Sequence, residues 1–122
     1  MAIDIELSRD ECKKGRKFLF PKDPAEAFNV NVDYTLFLEE GVFIDSVAAT
    51  AVDRRTGQDA TSDVIEDTSV QQNDDAEDVI ARVRVKDGLV GHSYCLTMTV
   101  ALTDSFSTDV RCFEFNVKNC GS

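Results

Sequence analysis

The 122-residue sequence has no tryptophan, a single histidine, two prolines, and 13 lysines and arginines against 23 aspartates and glutamates. Each scarcity excludes something. Contacts to phosphate backbones are built from Lys and Arg, so a formal net charge of −10 argues against direct nucleic-acid binding. His92 stands alone, and there is no nucleophile elbow, phosphate loop, HExxH or dinucleotide fingerprint, so the chain is read as a non-enzyme with no cofactor. No run approaches the roughly 18 to 20 apolar residues of a membrane span, and Met1 to Leu7 is acidic where a secretory signal begins basic. The expectation is therefore a protein made in the cytoplasm with no membrane partner. Sugar-binding sites usually stack their ligand on exposed Trp or Tyr; here only Tyr34 and Tyr94 are available, both at expected core positions.

Metal ligands are equally sparse. The acidic run Asp74, Asp75, Glu77 and Asp78 lacks the glycine and spacing of an EF-hand loop. Cys12, Cys95, Cys112 and Cys120 include no CxxC pair, so no metal site is expected. His92, beside Gly91, reads as an exposed turn residue.

What is present is a β pattern. An apolar fraction of 43% with eight phenylalanines suits one domain with a substantial core. Phe28, Val30, Val32, Tyr34 and Leu36 alternate with polar residues, as do Val79, Ala81, Val83 and Val85, then Tyr94 to Leu102, then Phe113 to Val117. Between them, Val42 to Val52 reads as a strand with small residues for close packing, Val64 and Ile65 begin a short one, and Gln71 to Asp78 reads as a loop. Pro21 and Pro24 mark a boundary that no regular strand should cross. Six or seven short strands with regular turn signals predict an all-β fold, an immunoglobulin-like antiparallel β-sandwich with an N-terminal extension. The divisions are an arm at 1–16, the sandwich at 17–118 and a tail at 119–122. Tyr94, following Gly88 to Ser93, resembles the structural tyrosine corner of such domains.

Three stretches carry a family resemblance: Lys22-Asp23-Pro24-Ala25-Glu26, Asp33-Tyr34-Thr35-Leu36-Phe37-Leu38 and Ile44-Asp45-Ser46. With Ile80 to Val85, Gly91 to Val100 and Asp109 to Val117 in the same order, the sequence is similar to small phage virion proteins, the fibre-tail adaptor proteins. The family often has tryptophans where this chain has Phe37 and Val47, and residues 1–16 have no counterpart in it. The resemblance implies a non-enzymatic bacteriophage structural protein in the neck or tail, linking a connector or tail ring to fibres or collar. Its partners would be other virion proteins, and the chain a ring-forming homo-oligomer in the particle. A capsid decoration protein and a carbohydrate-binding or adhesive immunoglobulin-like module are the alternatives.

Two further expectations concern the termini. Ile3, Ile5 and Leu7 share one face of an alternating segment, which either adds a strand to a partner's open edge or packs as a first strand of its own domain. Cys12 and Cys120 flank the sandwich and are the disulfide candidates, within or between chains, once the particle leaves the reducing cytoplasm. Cys95 and Cys112 are not expected to pair without a register shift. A turn centred near Phe106 sets 95 opposite about 116 and 112 opposite about 99, several residues out of register and beyond disulfide reach.

Overall fold

A computed structural model describes residues 2–6, 17–104 and 108–118. Alternation decides the architecture. In β3 (Phe28–Asp33), β6 (Asp78–Val85), β7 (Ser93–Leu102) and β8 (Thr108–Val117) every second side chain is buried. A pleated strand sends successive side chains to opposite faces, so each of these strands can line one core. The remaining elements are β1 (Ala2–Glu6), β2 (Lys17–Lys22), β4 (Ile44–Asp53), a single helical turn α1 (Thr61–Val64) and β5 (Ile65–Gln72).

Two four-stranded sheets result: sheet I in the order β1-β3-β6-β5 and sheet II in the order β2-β8-β7-β4. Taking β3 to β8 as strands B to G, the sheets are B-E-D and G-F-C, the immunoglobulin arrangement. Phe28, Val30, Val32, Ala81, Val83 and Val85 of sheet I meet Leu96, Met98, Val100, Phe113 and Phe115 of sheet II. Burying each large apolar side chain contributes about 1.5–3 kcal/mol, set against the entropy of ordering the chain.

Two pairings are parallel, β1 with β3 and β2 with β8, so the sandwich is antiparallel only among its six later strands. The chain's first two strands therefore lie in different sheets. Ala2–Glu6 runs along β3 with Ile5 opposite Val32 and buried, which is the intramolecular of the two placements open to Ile3, Ile5 and Leu7; Leu7 itself lies outside the described residues.

Other expectations are corrected. Pro21 does not end a strand: it lies within β2, opposite Asn116 on an edge strand, where a residue without a backbone donor is tolerated. The strand from Phe28 stops at Asp33, whose Oδ1 accepts hydrogen bonds from the N–H and hydroxyl of Thr35 and turns the chain, leaving Leu36 exposed rather than inward. Val64 belongs to α1, and the strand after it runs on through Gln72. Alternation was weak there because β5 carries irregularities at both ends of its pairing with β6.

Three edge strands are guarded. On β4 the carbonyl of Val47 accepts from the Thr68 hydroxyl, the N–H of Ala51 donates to Thr61 Oγ1, and its carbonyl accepts from Ala60 N–H. Ala51 is small because α1 closes over it. Of the other edge strands, β2 carries Pro21 and β5 its two irregularities. Both devices discourage edge-to-edge pairing.

Candidate functional site

The turn motifs become legible first. Asp23 N–H donates to Glu26 Oε1, Glu26 N–H to the Asp23 carbonyl, and Ala25 N–H to Asp23 Oδ1, so the Lys-Asp-Pro-Ala-Glu segment is a self-capped turn. Lys22 is fully buried and its Nζ donates to the carbonyls of Asp23 and Asp87, tying the end of β2 to the β6–β7 loop. Burial pushes its ammonium below the usual lysine value, against the opposing pull of Asp87, Glu26 and Asp23.

At the same end of the sandwich, Tyr94 projects from β7 into the core. Its phenol oxygen accepts the N–H of Leu89 at 3.0 Å, and its ring stacks on Phe115 at 5.3 Å and on His92 at 6.4 Å between centroids. His92 is not the exposed turn residue its neighbours suggested. Its Nδ1 lies 2.7 Å from Asp53 Oδ2, and only 16% of its side chain is accessible. The pair lines a cleft of about 630 Å³ that also presents Asp59, Asp63, Lys86 and Asp87.

Asp53 is held below the ordinary carboxylate value: desolvation pushes it upward, but hydrogen bonds from His92 and from the N–H groups of Arg55 and Thr56 outweigh that. A depressed carboxylate contributes stability above its unfolded value of 3.8, and that contribution is lost as pH falls through the folded value. Melting temperature measured below about pH 4 should therefore decline more steeply in the wild type than in Asp53→Asn. Parallel curves would show that the pair carries no acid-sensitive stability.

The opposite end holds a buried charged cluster. Tyr34 donates its hydroxyl to Asp109 Oδ2 at 2.6 Å, Arg111 Nε donates to the same oxygen at 2.7 Å, and the guanidinium lies 5.1 Å from the centre of the Phe37 ring. Burial and then the bond to Asp109 push the Tyr34 phenol well above the ordinary tyrosine value. The sequence carried a signal for this cluster, since Asp109 and Arg111 share the parity of Phe113, Phe115 and Val117; their charge hid it. The cluster joins the β3–β4 connection to the start of β8 and reads as structural.

The two outer faces differ sharply. On sheet I, Asn31 donates to Asp4 and accepts from Arg82, while Arg84 bonds Glu66 and Asn29. The arginines of β6 are thereby spent within the sheet. On sheet II the outward positions are Ser46, Ala48, Thr50 and Val52 on β4, and Ser93, Cys95, Thr97, Thr99 and Ala101 on β7. On β8 they are Thr108, Val110, Cys112, Glu114 and Asn116. Among these positions Glu114 carries charge and Arg54 faces it at 3.4 Å; Asp45, at the irregularity between Ile44 and Ser46 of β4, is exposed as well.

Cys95 and Cys112 are both on this face as free thiols. The register corrects their expected spacing: Cys95 lies opposite Glu114 and Cys112 opposite Thr97, a diagonal offset of one side-chain repeat. Register follows the burial of alternate residues on β7 and β8, not the midpoint of the loop. Cys12 and Cys120 lie outside the described residues. Among the described residues no group of three or more His, Cys, Asp or Glu side chains is placed to hold a metal, and no helix is long and apolar enough to cross a membrane.

A search of curated proteins returned no match. Among solved structures, one titled "Solution Structure of Amebosin" aligns over 93% of this chain and 97% of its own, with 9% identity and a TM-score of 0.38. A family model described as podophage GP4 fiber-tail adaptor protein gp77 matches residues 22–116, from the buried Lys22 to the penultimate residue of β8, and the chain belongs to that family.

Proposed function

We propose that this chain is a non-enzymatic adaptor in the neck or tail of a bacteriophage virion, linking the connector or tail ring to fibres or collar, in a ring of identical copies. The observation that carries the reading is the family match, which runs through both sheets. The chemistry of the two ends is consistent with it. The polar groups of Lys22, Asp53, His92, Tyr94 and Asp109 bond to other parts of the fold. A rigid body with well-tied loops suits a mechanical joint, because partners then meet a surface that needs little ordering on binding.

Partners of basic character suit the acidic cleft around Asp53, since the chain's net charge of −10 favours encounter with positive surfaces. The adhesive alternative is disfavoured by Tyr34 and Tyr94, whose rings are both buried and unable to stack on a sugar. Capsid decoration is separated from a neck position by stoichiometry. Quantitative mass spectrometry of purified particles should give the few copies of one closed ring, about six or twelve; hundreds of copies would place the protein on the capsid shell instead.

A further inference from the structure

The edge strands of the two sheets are β1 and β5 in sheet I, and β2 and β4 in sheet II. β4 is closed off by Thr68 and α1, β2 carries Pro21, and β5 is irregular at both ends. β1 differs from all three. Its sequence Ala2-Ile3-Asp4-Ile5-Glu6 holds no proline, glycine or lysine, and its register with β3 is unbroken. Among the described residues nothing pairs with its outer side. A strand bonded on one side leaves the N–H and C=O groups of alternate residues pointing away, a template for one more strand.

The side chains beside this edge select the strand it accepts. Arg82 Nε donates to Asn31 Oδ1 at 2.7 Å, and Asn31 Nδ2 donates to Asp4 Oδ1 at 2.9 Å. This polar row crosses β6, β3 and β1 in one direction and ends at the edge on an acceptor. Asp4 is exposed, and no described group donates to its Oδ2, so the next member of the row is a donor. Glu6, the next outward position of β1, stands opposite Asp33 in the register, and a groove of about 330 Å³ along the row presents Asp4 and Asp33 together. A cation arriving there meets carboxylates from two strands. A second copy of this chain is turned away. Two β1 edges paired with their isoleucines inward would set Asp4 and Glu6 against the same acidic pair, and like charges directly opposite destabilise a ladder.

We propose that the outer edge of β1 is continued by an extended segment of a different virion protein, in which basic residues alternate with apolar ones. Its cations meet Asp4 and Glu6 while its backbone extends sheet I. That the partner is a virion protein rests on the adaptor reading; the open edge and its charge do not. β1 precedes the matched residues 22–116, so the contact is an addition to the domain shared with the family. A five-residue strand offers about two or three outward-facing backbone sites. One such contact is weak, and copies engaging together in a ring multiply it.

Hydrogen exchange read by mass spectrometry, on the free chain and on purified particles, tests whether the edge is covered. Backbone amides of residues 2–6 should exchange about tenfold or more slowly in the particle than in the free chain. Charge selection is tested by adding variants to particles that lack the protein. Asp4→Lys/Glu6→Lys should be incorporated about tenfold less than wild type, and Glu40→Lys/Asp45→Lys, an equal change of charge at exposed positions elsewhere, as well as wild type. Thermal melting shows whether the variants are folded. Should the reversed variant fail to fold, the isosteric Asp4→Asn/Glu6→Gln decides, with incorporation expected to fall severalfold. Equal exchange in the free chain and the particle overturns the proposal, as does undiminished incorporation of the variants at positions 4 and 6. Protection that develops in the purified chain alone as its concentration rises would assign the edge to a second copy and overturn it too. Copy number per particle judges the adaptor reading separately.

Discussion

Asp109→Ala should destabilise the domain by about 3–5 kcal/mol, the cost of breaking a buried ion pair by removing one partner. Arg111 is 2% exposed, and its Nη1 and Nη2 have no hydrogen-bond partner among the described residues, so no described hydrogen bond holds the guanidinium once the carboxylate is gone. The Tyr34 hydroxyl would lose its acceptor in the same step. For a domain whose whole stability lies near 5–15 kcal/mol, that is a large share. Equilibrium unfolding in urea measures it. The double variant Asp109→Ala/Arg111→Met should regain most of the loss, because an apolar side chain of similar length carries no charge to strand. If the single variant costs less than about 1 kcal/mol, water reaches the cluster and it is not the dry site described.

The second large effect is expected at Gly88. It adopts φ +102, a region that side-chain-bearing residues rarely enter, and a Cβ built there would sit 2.7 Å from Val117 Cγ2 and 3.3 Å from Tyr94 Cε2. Gly88→Ala therefore combines backbone strain of about 1–3 kcal/mol with overpacking of similar size. Gly41 supplies the control: its φ is +83, but nothing lies within 4 Å of its Cβ position, so Gly41→Ala should cost the strain alone. Thermal unfolding of the two variants side by side isolates the clash, and equal losses would mean that Val117 and Tyr94 yield without penalty. The comparison also bears on Tyr94, since the glycine lets the loop approach closely enough for Leu89 N–H to reach the phenol oxygen.

Both predictions concern the ends of the sandwich, where loops that could meet virion partners are anchored. Rigidity there has a physical source: the Asp109 cluster secures one end, and Lys22, Tyr94 and the Asp53–His92 pair secure the other.

How much of this was legible in the sequence varies with the element. β3, β6, β7 and β8 could be read because strict alternation is visible without knowing the neighbours, and the family motifs could be read because turn chemistry is local. Tyr94 was legible for the same reason, lying a fixed distance after glycines that bend the chain. β2 was obscured because a proline argues against a strand unless that strand is known to lie at an edge. His92 looked exposed because its partner, Asp53, is 39 residues away.

By itself the order of amino acids determined the all-β class, the inward and outward sets on β3, β6, β7 and most of β8, and the local turns, since these depend on periodicities of two and on side chains bonding to their own backbone. Tertiary structure alone decided which strands share a sheet, that β1 and β2 lie in different sheets, that Asp109 and Arg111 are buried as a pair, and that the outward positions of β4, β7 and β8 form one continuous face. Those outcomes depend on contacts between segments far apart in the chain. Such contacts form when the core closes and leave no periodic trace in the segments that make them.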